Sequence, residues 1–369
     1  MTDKGPRNIV LCCDGTANEF AADRTNVVKL YYSLVQGQSQ QLTYYHPGLG
    51  TMEPPGALTA VARRTTRLLG KAVGYGLEAD IRDAYVFLMN NFQPGDRVFL
   101  FGFSRGAYTV RSVASLLKMF GLLPPDNDPF VPYAIRMLTA LDRSENADNN
   151  RYFSLAGQFK EAFDAAGSCR PHFVGVWDTV SSVGWIENAL HLPYTASNSD
   201  IAIGRHAIAI DERRAFFRTN LWRPSTSGVS GPKDLKQVWF PGVHADVGGG
   251  YPEAESGLSK IALKWMIEEA ETAGLLFDNE RREKILGNRG APYVQPNPKA
   301  DIHVSLDAGW WPAEFIWKKH YDQATGKIGR QMNLGRPRTI PPRSLIHSSA
   351  YQRSDAYTSK LPKDGIKIV

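Results

Sequence analysis

Two periodicities alternate along the chain: short apolar runs ended by turn formers, which read as buried strands, and longer stretches with apolar residues at three- and four-residue spacing, which read as helices. Asn8 to Cys13 is the first apolar run, closed by Asp14-Gly15-Thr16, and Leu42 to His46 is the second, closed by Pro47-Gly48. Leu77 to Asn91 then carries Ile81, Ala84, Tyr85 and Leu88 at helical spacing before the turn Pro94-Gly95-Asp96. Arg97 to Gly102 is apolar without alternation, as a strand covered on both faces requires, and Ala107 to Phe120 returns to helical spacing. His172 to Trp177 and Gln237 to Phe240 continue the series, the latter followed by a helical run from Ser259 to Ala270. Strands alternating with helices predict an α/β fold with a mostly parallel central sheet flanked by helices. The carboxyl ends of such strands face the ligand crevice, which puts Ser104, Asp178 and His244 at the functional edge.

The pattern weakens in three places. Residues 123–165 lack strand signals and are expected to form a helical insertion or lid, and residues 186–234 mix helical spacing with a Pro/Ser/Gly-rich loop from Pro224 to Pro232. Residues 300–369 hold Trp310-Trp311-Pro312 with Phe315 and Trp317, expected to be a packed cap, a partner surface or an interfacial patch. No long linker or fixed-period repeat divides the 369 residues, and 43% hydrophobic residues suffice for a sizeable core, so one elaborated domain over 1–369 is expected.

Forty-three Lys and Arg against 37 Asp and Glu give a net charge of +6, an excess that mostly describes a solvated surface. The basic runs lack regular aromatic interleaving, and neither zinc-finger spacing nor a basic region with heptads occurs, so nucleic acid is not an expected partner. Cys12, Cys13 and Cys169 read as ordinary thiols rather than a disulfide framework. The first residues lack a signal-peptide pattern, and no run reaches the roughly 18 apolar residues of a membrane span. A cytoplasmic location is expected, with export by a dedicated secretion system compatible. Nothing in the pattern specifies an oligomeric state, a cofactor or a metal.

The chemistry concentrates at Gly102-Phe103-Ser104-Arg105-Gly106, a G-x-S-x-G elbow that follows an apolar strand and opens a helix. This sharp turn exposes a serine hydroxyl, and its context marks Ser104 as a nucleophile of the α/β-hydrolase kind. The Arg105 amide is the natural first oxyanion donor, and the Gly15-Thr16 turn is the best-placed source of a second. A serine needs a base, and His244 stands in Pro241-Gly242-Val243-His244-Ala245-Asp246-Val247-Gly248-Gly249-Gly250-Tyr251, directly beyond a candidate strand, with His347 as its competitor. Asp178 ends a buried strand and gives the order Ser, Asp, His; Asp246 is the alternative acid, able to orient His347 or to hold the glycine-rich turn. Two other classes stay open: a non-catalytic binding module on the same fold, and a metal-dependent phosphatase or phosphodiesterase using Asp14, His244 and Asp246.

At these residues the sequence resembles the α/β-hydrolase family catalogued as domain of unknown function number 2235, to which the catalytic domains of certain type VI secretion phospholipase effectors belong. The resemblance rests on Leu11 to Thr16, Thr25 to Val27, Gly102 to Ala107, Val176 to Val180, His206 to Arg213 and Trp239 to Tyr251, and covers about residues 8–265. A weaker match lies around Ile346-His347-Ser348 and Tyr351-Gln352-Arg353. It implies a Ser-Asp-His triad that cleaves phospholipid acyl esters and falls on Ser104, Asp178 and His244. The implied partner is a small ester or lipid substrate; an apolar groove formed by residues 123–165 and Trp310 to Trp317, with the net charge of +6, would favour peripheral contact with an anionic lipid surface.

Overall fold

The computed structural model describes residues 6–15, 24–37, 39–48, 60–140, 150–164, 169–180, 184–185, 188–189, 192–223, 231–321 and 328–368. The apolar runs of the first half are strands β1 (Asn8–Cys13), β2 (Gln41–His46), β3 (Arg97–Phe103) and β4 (Pro171–Trp177). A two-residue hairpin, β5 (Gly184–Trp185) and β6 (Asn188–Ala189), precedes β7 (Ile203–Ala209) and β8 (Asp234–Phe240). The C-terminal part adds the hairpin β9 (Lys318–Tyr321) and β10 (Ile328–Gln331), then β11 (Leu345–His347) and β12 (Ile366–Ile368).

Eight of these strands form one sheet in the order β12-β11-β8-β7-β4-β3-β1-β2, with every pairing parallel. The helices are α1 (Asn26–Ser33), α2 (Ala60–Asn91), α3 (Arg105–Phe120), α4 (Val131–Thr139), α5 (Asn150–Phe163), α6 (His244–Gly248), α7 (Gly257–Thr272), α8 (Asn279–Ile285), α9 (Trp311–Glu314) and α10 (Asp355–Thr358). This is an α/β-hydrolase-like architecture with helical insertions.

The strands are apolar throughout because both faces are covered. On one face Ile9, Leu11, Cys13, Val98, Leu100, Val174 and Val176 join the buried side chains of α2, α3, α4 and α5. On the other, Val10, Cys12, Phe99, Phe101, Phe173 and Trp177 meet those of α1, α7 and α8. The alternation follows the two-residue period of a strand, and each large side chain buried this way is worth roughly 1.5–3 kcal/mol.

Between β1 and β3 the winding reverses, since β2 lies on one side of β1 and β3 on the other. Cys13 pairs with Gly102, so the Asp14-Gly15 turn and Ser104 leave neighbouring strand ends at this switch point, where an open parallel sheet has its crevice.

The structure corrects the reading of residues 186–234. Where helix and loop were expected, β7 lies in the middle of the sheet between β4 and β8. Arg205 and His206 interrupt its apolar run, and both are buried. Arg205 is held there by Glu269 at 2.5 Å and Asp234 at 2.7 Å, partners remote in sequence. The stretch from Pro224 to Ser230 lies outside the described residues.

Candidate active site

Ser104 stands between the last residue of β3 and the first of α3, with φ 57° and ψ −117°. A left-handed φ at a non-glycine residue costs on the order of 1–3 kcal/mol and persists only where its surroundings enforce it. The Ser104 amide donates to Trp177 O across the β3–β4 boundary at 3.2 Å. Gly106 permits the tight turn: a Cβ there would lie 2.1 Å from Cys13 O and 2.5 Å from Asp14 O. The amino end of α3 thus rests directly on the carboxyl end of β1.

Asp178 follows β4 in the same way, with φ 37° and no solvent exposure. Its amide donates to Ala207 O at 2.7 Å, and its Oδ1 accepts the Ala209 amide at 3.0 Å, which ties it to β7. His244 opens α6, and its Nδ1 lies 2.5 Å from Asp178 Oδ2. A carboxylate only accepts, so Nδ1 carries the proton and Nε2 keeps its lone pair. The imidazole contacts the rings of Phe103, at 4.5 Å, and Phe217, at 4.6 Å. Phe103 directly precedes Ser104, so the imidazole contacts the residue next to the elbow serine. Gly248, at the end of α6, leaves the room that the Phe103 ring fills. Among the described residues no hydrogen bond joins Ser104 to His244.

Burial lowers the pKa of His244, with Asp178 pulling the other way. The ring is therefore neutral at pH 7, the state a general base requires. Burial alone would raise the Asp178 carboxyl, but Arg338 and His244 outweigh it and hold it well below the usual carboxylate range. Arg338 and Glu212 were not singled out in the sequence. Glu212 Oε2 accepts the His244 amide at 3.2 Å, and Glu212 is bound by Arg214 and Ser305. Glu212 lies in the His206–Arg213 segment that carries the resemblance but had no role assigned to it, and Arg338 sits in a proline- and arginine-rich stretch that looks like solvated loop.

The other candidate residues go elsewhere. Asp246 accepts the Val243 amide at 3.0 Å, holding the turn, and pairs with His303 Nδ1 at 2.6 Å. His347 stacks on Phe240 at 4.7 Å, and its Nδ1 accepts from Ser349, so Asp246 and His347 are not brought together. Asp14 accepts from Thr25 Oγ1 at 2.5 Å, Tyr45 OH at 3.0 Å and the Gly15 amide at 2.7 Å. The Gly15 amide is thereby engaged by its neighbour's carboxylate, and Thr16 lies outside the described residues. Asp14, His244 and Asp246 each have separate protein partners. Among the described residues no group of three or more His, Cys, Asp or Glu is placed to hold a metal ion.

The family whose description reads "T6SS, Phospholipase effector Tle1-like, catalytic domain" matches residues 7–269. The chain belongs to this family. Tle1-like membership supports a hydrolase or esterase-type activity on acyl or lipid substrates. The uncharacterized protein YEL023C of Saccharomyces cerevisiae is 36% identical over 226 residues, which cover 59% of this chain and 33% of that protein. An uncharacterized protein from Pseudomonas aeruginosa, known from a crystal structure, is 21% identical, with a TM-score of 0.46 over 76% of this chain and 48% of its own. The Tle1 effector bound to the VgrG spike of the type 6 secretion system is 17% identical, with a TM-score of 0.38 over 69% of this chain and 53% of its own. The chain thus spans a third of the yeast relative and about half of each solved chain.

Proposed function

We propose that this Tle1-like chain is a serine hydrolase of carboxylic acyl esters, with phospholipid acyl esters as its natural class. The observation that carries the reading is the Asp178–His244 contact formed beside a strained serine elbow. Ser104 Oγ attacks the acyl carbon as its proton passes to His244 Nε2, while Asp178 holds the ring and stabilises the imidazolium. The Arg105 amide, at the amino end of α3, faces the developing oxyanion, and the turn at Gly15-Thr16 supplies the second donor once substrate displaces the Asp14 contact. His244 then returns the proton to the leaving alcohol. Water, activated by the same imidazole, releases the acid and restores Ser104.

The substrate class rests on family membership and on the aromatic wall. Trp310 packs on Phe217, which itself packs on His244, while Trp311, Phe315 and Trp317 are exposed beside it. That surface suits acyl chains and peripheral contact with a lipid surface. None of the described helices is long and apolar enough to cross a membrane. Export by a dedicated secretion system, in keeping with the T6SS effector family to which the chain belongs, is part of the same proposal.

The test compares a short soluble ester, monomeric phospholipid and anionic vesicles at low and high salt, measuring released fatty acid and lysophospholipid. The reading expects cleavage of all three by the wild type and none by Ser104→Ala. Cleavage of the short ester alone removes the phospholipid class, and hydrolysis of nothing favours a binding module.

A further inference from the structure

The acid of the proposed triad is itself held by a cation. Arg338 donates from Nη1 to Asp178 Oδ1 at 2.6 Å and from Nη2 to Oδ2 at 3.0 Å, a two-pronged pair whose side chains are 7% and 0% exposed. Its remaining N–H groups are also used: Nη1 donates to Ala209 O at 2.9 Å, Nε to Phe217 O at 3.1 Å, and Nη2 to Phe217 O. All five donors of a guanidinium are thus spent, which an ammonium with three rotatable donors cannot reproduce. Asp178 in turn accepts from Ala209, His244 and both prongs, so neither oxygen is free to turn away from the imidazole. The segment bearing Arg338 is anchored nearby, with the Gly335 amide on buried Glu314 at 2.9 Å and Gly335 O accepting from Arg213 at 2.7 Å. It lies beyond the residues 7–269 that match the Tle1-like family.

We propose that Arg338 is a positioning residue for the Asp178–His244 pair, supplied from outside the family-matching region, fixing the orientation of Asp178 and offsetting the negative charge that His244 meets. The inference rests on the serine-hydrolase reading for its role in turnover, but the charge relation stands on geometry alone. A carboxylate whose charge is shared with a guanidinium stabilises an imidazolium less than a bare one. Among the described residues, the other charges around His244 are Glu212 and Arg214 beyond β7, and Asp246 on α6, which is paired with His303. Lys260 of α7, the helix packed on α6, is paired with Glu253.

Two readouts in the full chain separate the claims: the imidazole ¹⁵N titration of His244, which needs no turnover, and the pH dependence of fluorophosphonate labelling at Ser104. In Arg338→Gln, His244 should titrate about one pH unit higher, with the acid limb of labelling moving equally and the plateau rate falling about tenfold. Arg338→Lys, which keeps the charge and loses the fork, should hold the limb near the wild-type position while its plateau falls. An arginine that serves packing alone would change the unfolding curve and leave the His244 titration in place; that result overturns the proposal. Should Arg338→Gln fail to fold, Arg338→Lys with wild-type plateau and limb overturns it equally. A wild type that titrates as expected but never labels would sink the hydrolase reading and leave the charge relation standing.

Discussion

Catalytic power in a site of this kind depends on one imidazole that has only one productive orientation. In the proposed triad that imidazole is His244, whose Nδ1 is claimed by Asp178, whose ring contacts Phe103 and Phe217, and whose backbone amide is bound by Glu212. His347 has a different surrounding: Phe240 stacks on it, Ser349 donates to its Nδ1, and burial lowers its pKa to about 4. Replacing His244 with Ala should therefore reduce hydrolysis of a short ester on the order of 10⁴-fold or more, whereas His347→Ala should stay within about tenfold of the wild type. Matched unfolding curves guard against a folding defect, and the reverse ranking would move the base to His347.

At the scale of elements, the elbow works only if α3 sits hard against β1, and Gly106 is the residue that allows it. Gly106→Ala should cost about 1–3 kcal/mol, because its Cβ meets backbone carbonyls rather than yielding side chains. It should also reduce turnover by at least tenfold through displacement of Ser104. Gly157 in α5 is the control: nothing lies within 4 Å of its Cβ position, so Gly157→Ala should be neutral or stabilising by up to about 1 kcal/mol. Equal unfolding midpoints for the two variants would contradict the account.

The same scale shows what the sequence made legible. β1, β3 and β4 carry continuous apolar runs and turn endings, so their bounds were readable to within a residue, as was the serine elbow between strand and helix. β7 was not readable, because Arg205 and His206 look like surface residues until Glu269, Asp234 and the neighbouring strands are in place. β11 and β12, at three residues each, are too short for periodicity to register. Arg338 is 160 residues from Asp178, and no local pattern announces such a contact.

Across the whole molecule, buried histidines tie stability to pH. Burial lowers His206 to about 3 and His347 to about 4, and lowers His244 as well. Between these values and the ordinary histidine value of about 6.5, the unfolded chain binds protons that the folded chain refuses, so stability falls as pH drops through that window. Each fully refusing group contributes a slope of up to about 1.4 kcal/mol per pH unit. His303 acts oppositely: its two carboxylate partners, Glu255 and Asp246, outweigh burial and raise its pKa, which adds stability below that raised value. Among the described histidines, three lowered groups against one raised predict a urea midpoint lower at pH 5 than at pH 7. A midpoint that is flat or rises toward pH 5 would contradict this balance.

The central claim is that Ser104 is an activated nucleophile, and covalent labelling tests it most directly. The wild-type chain is treated with a fluorophosphonate at neutral pH, and the modified residue is located by peptide mass mapping. The account predicts a single adduct on Ser104, absent from folded Ser104→Ala and strongly slowed in His244→Ala. An adduct on another serine, with Ser104→Ala still hydrolysing short esters at the wild-type rate, would contradict it.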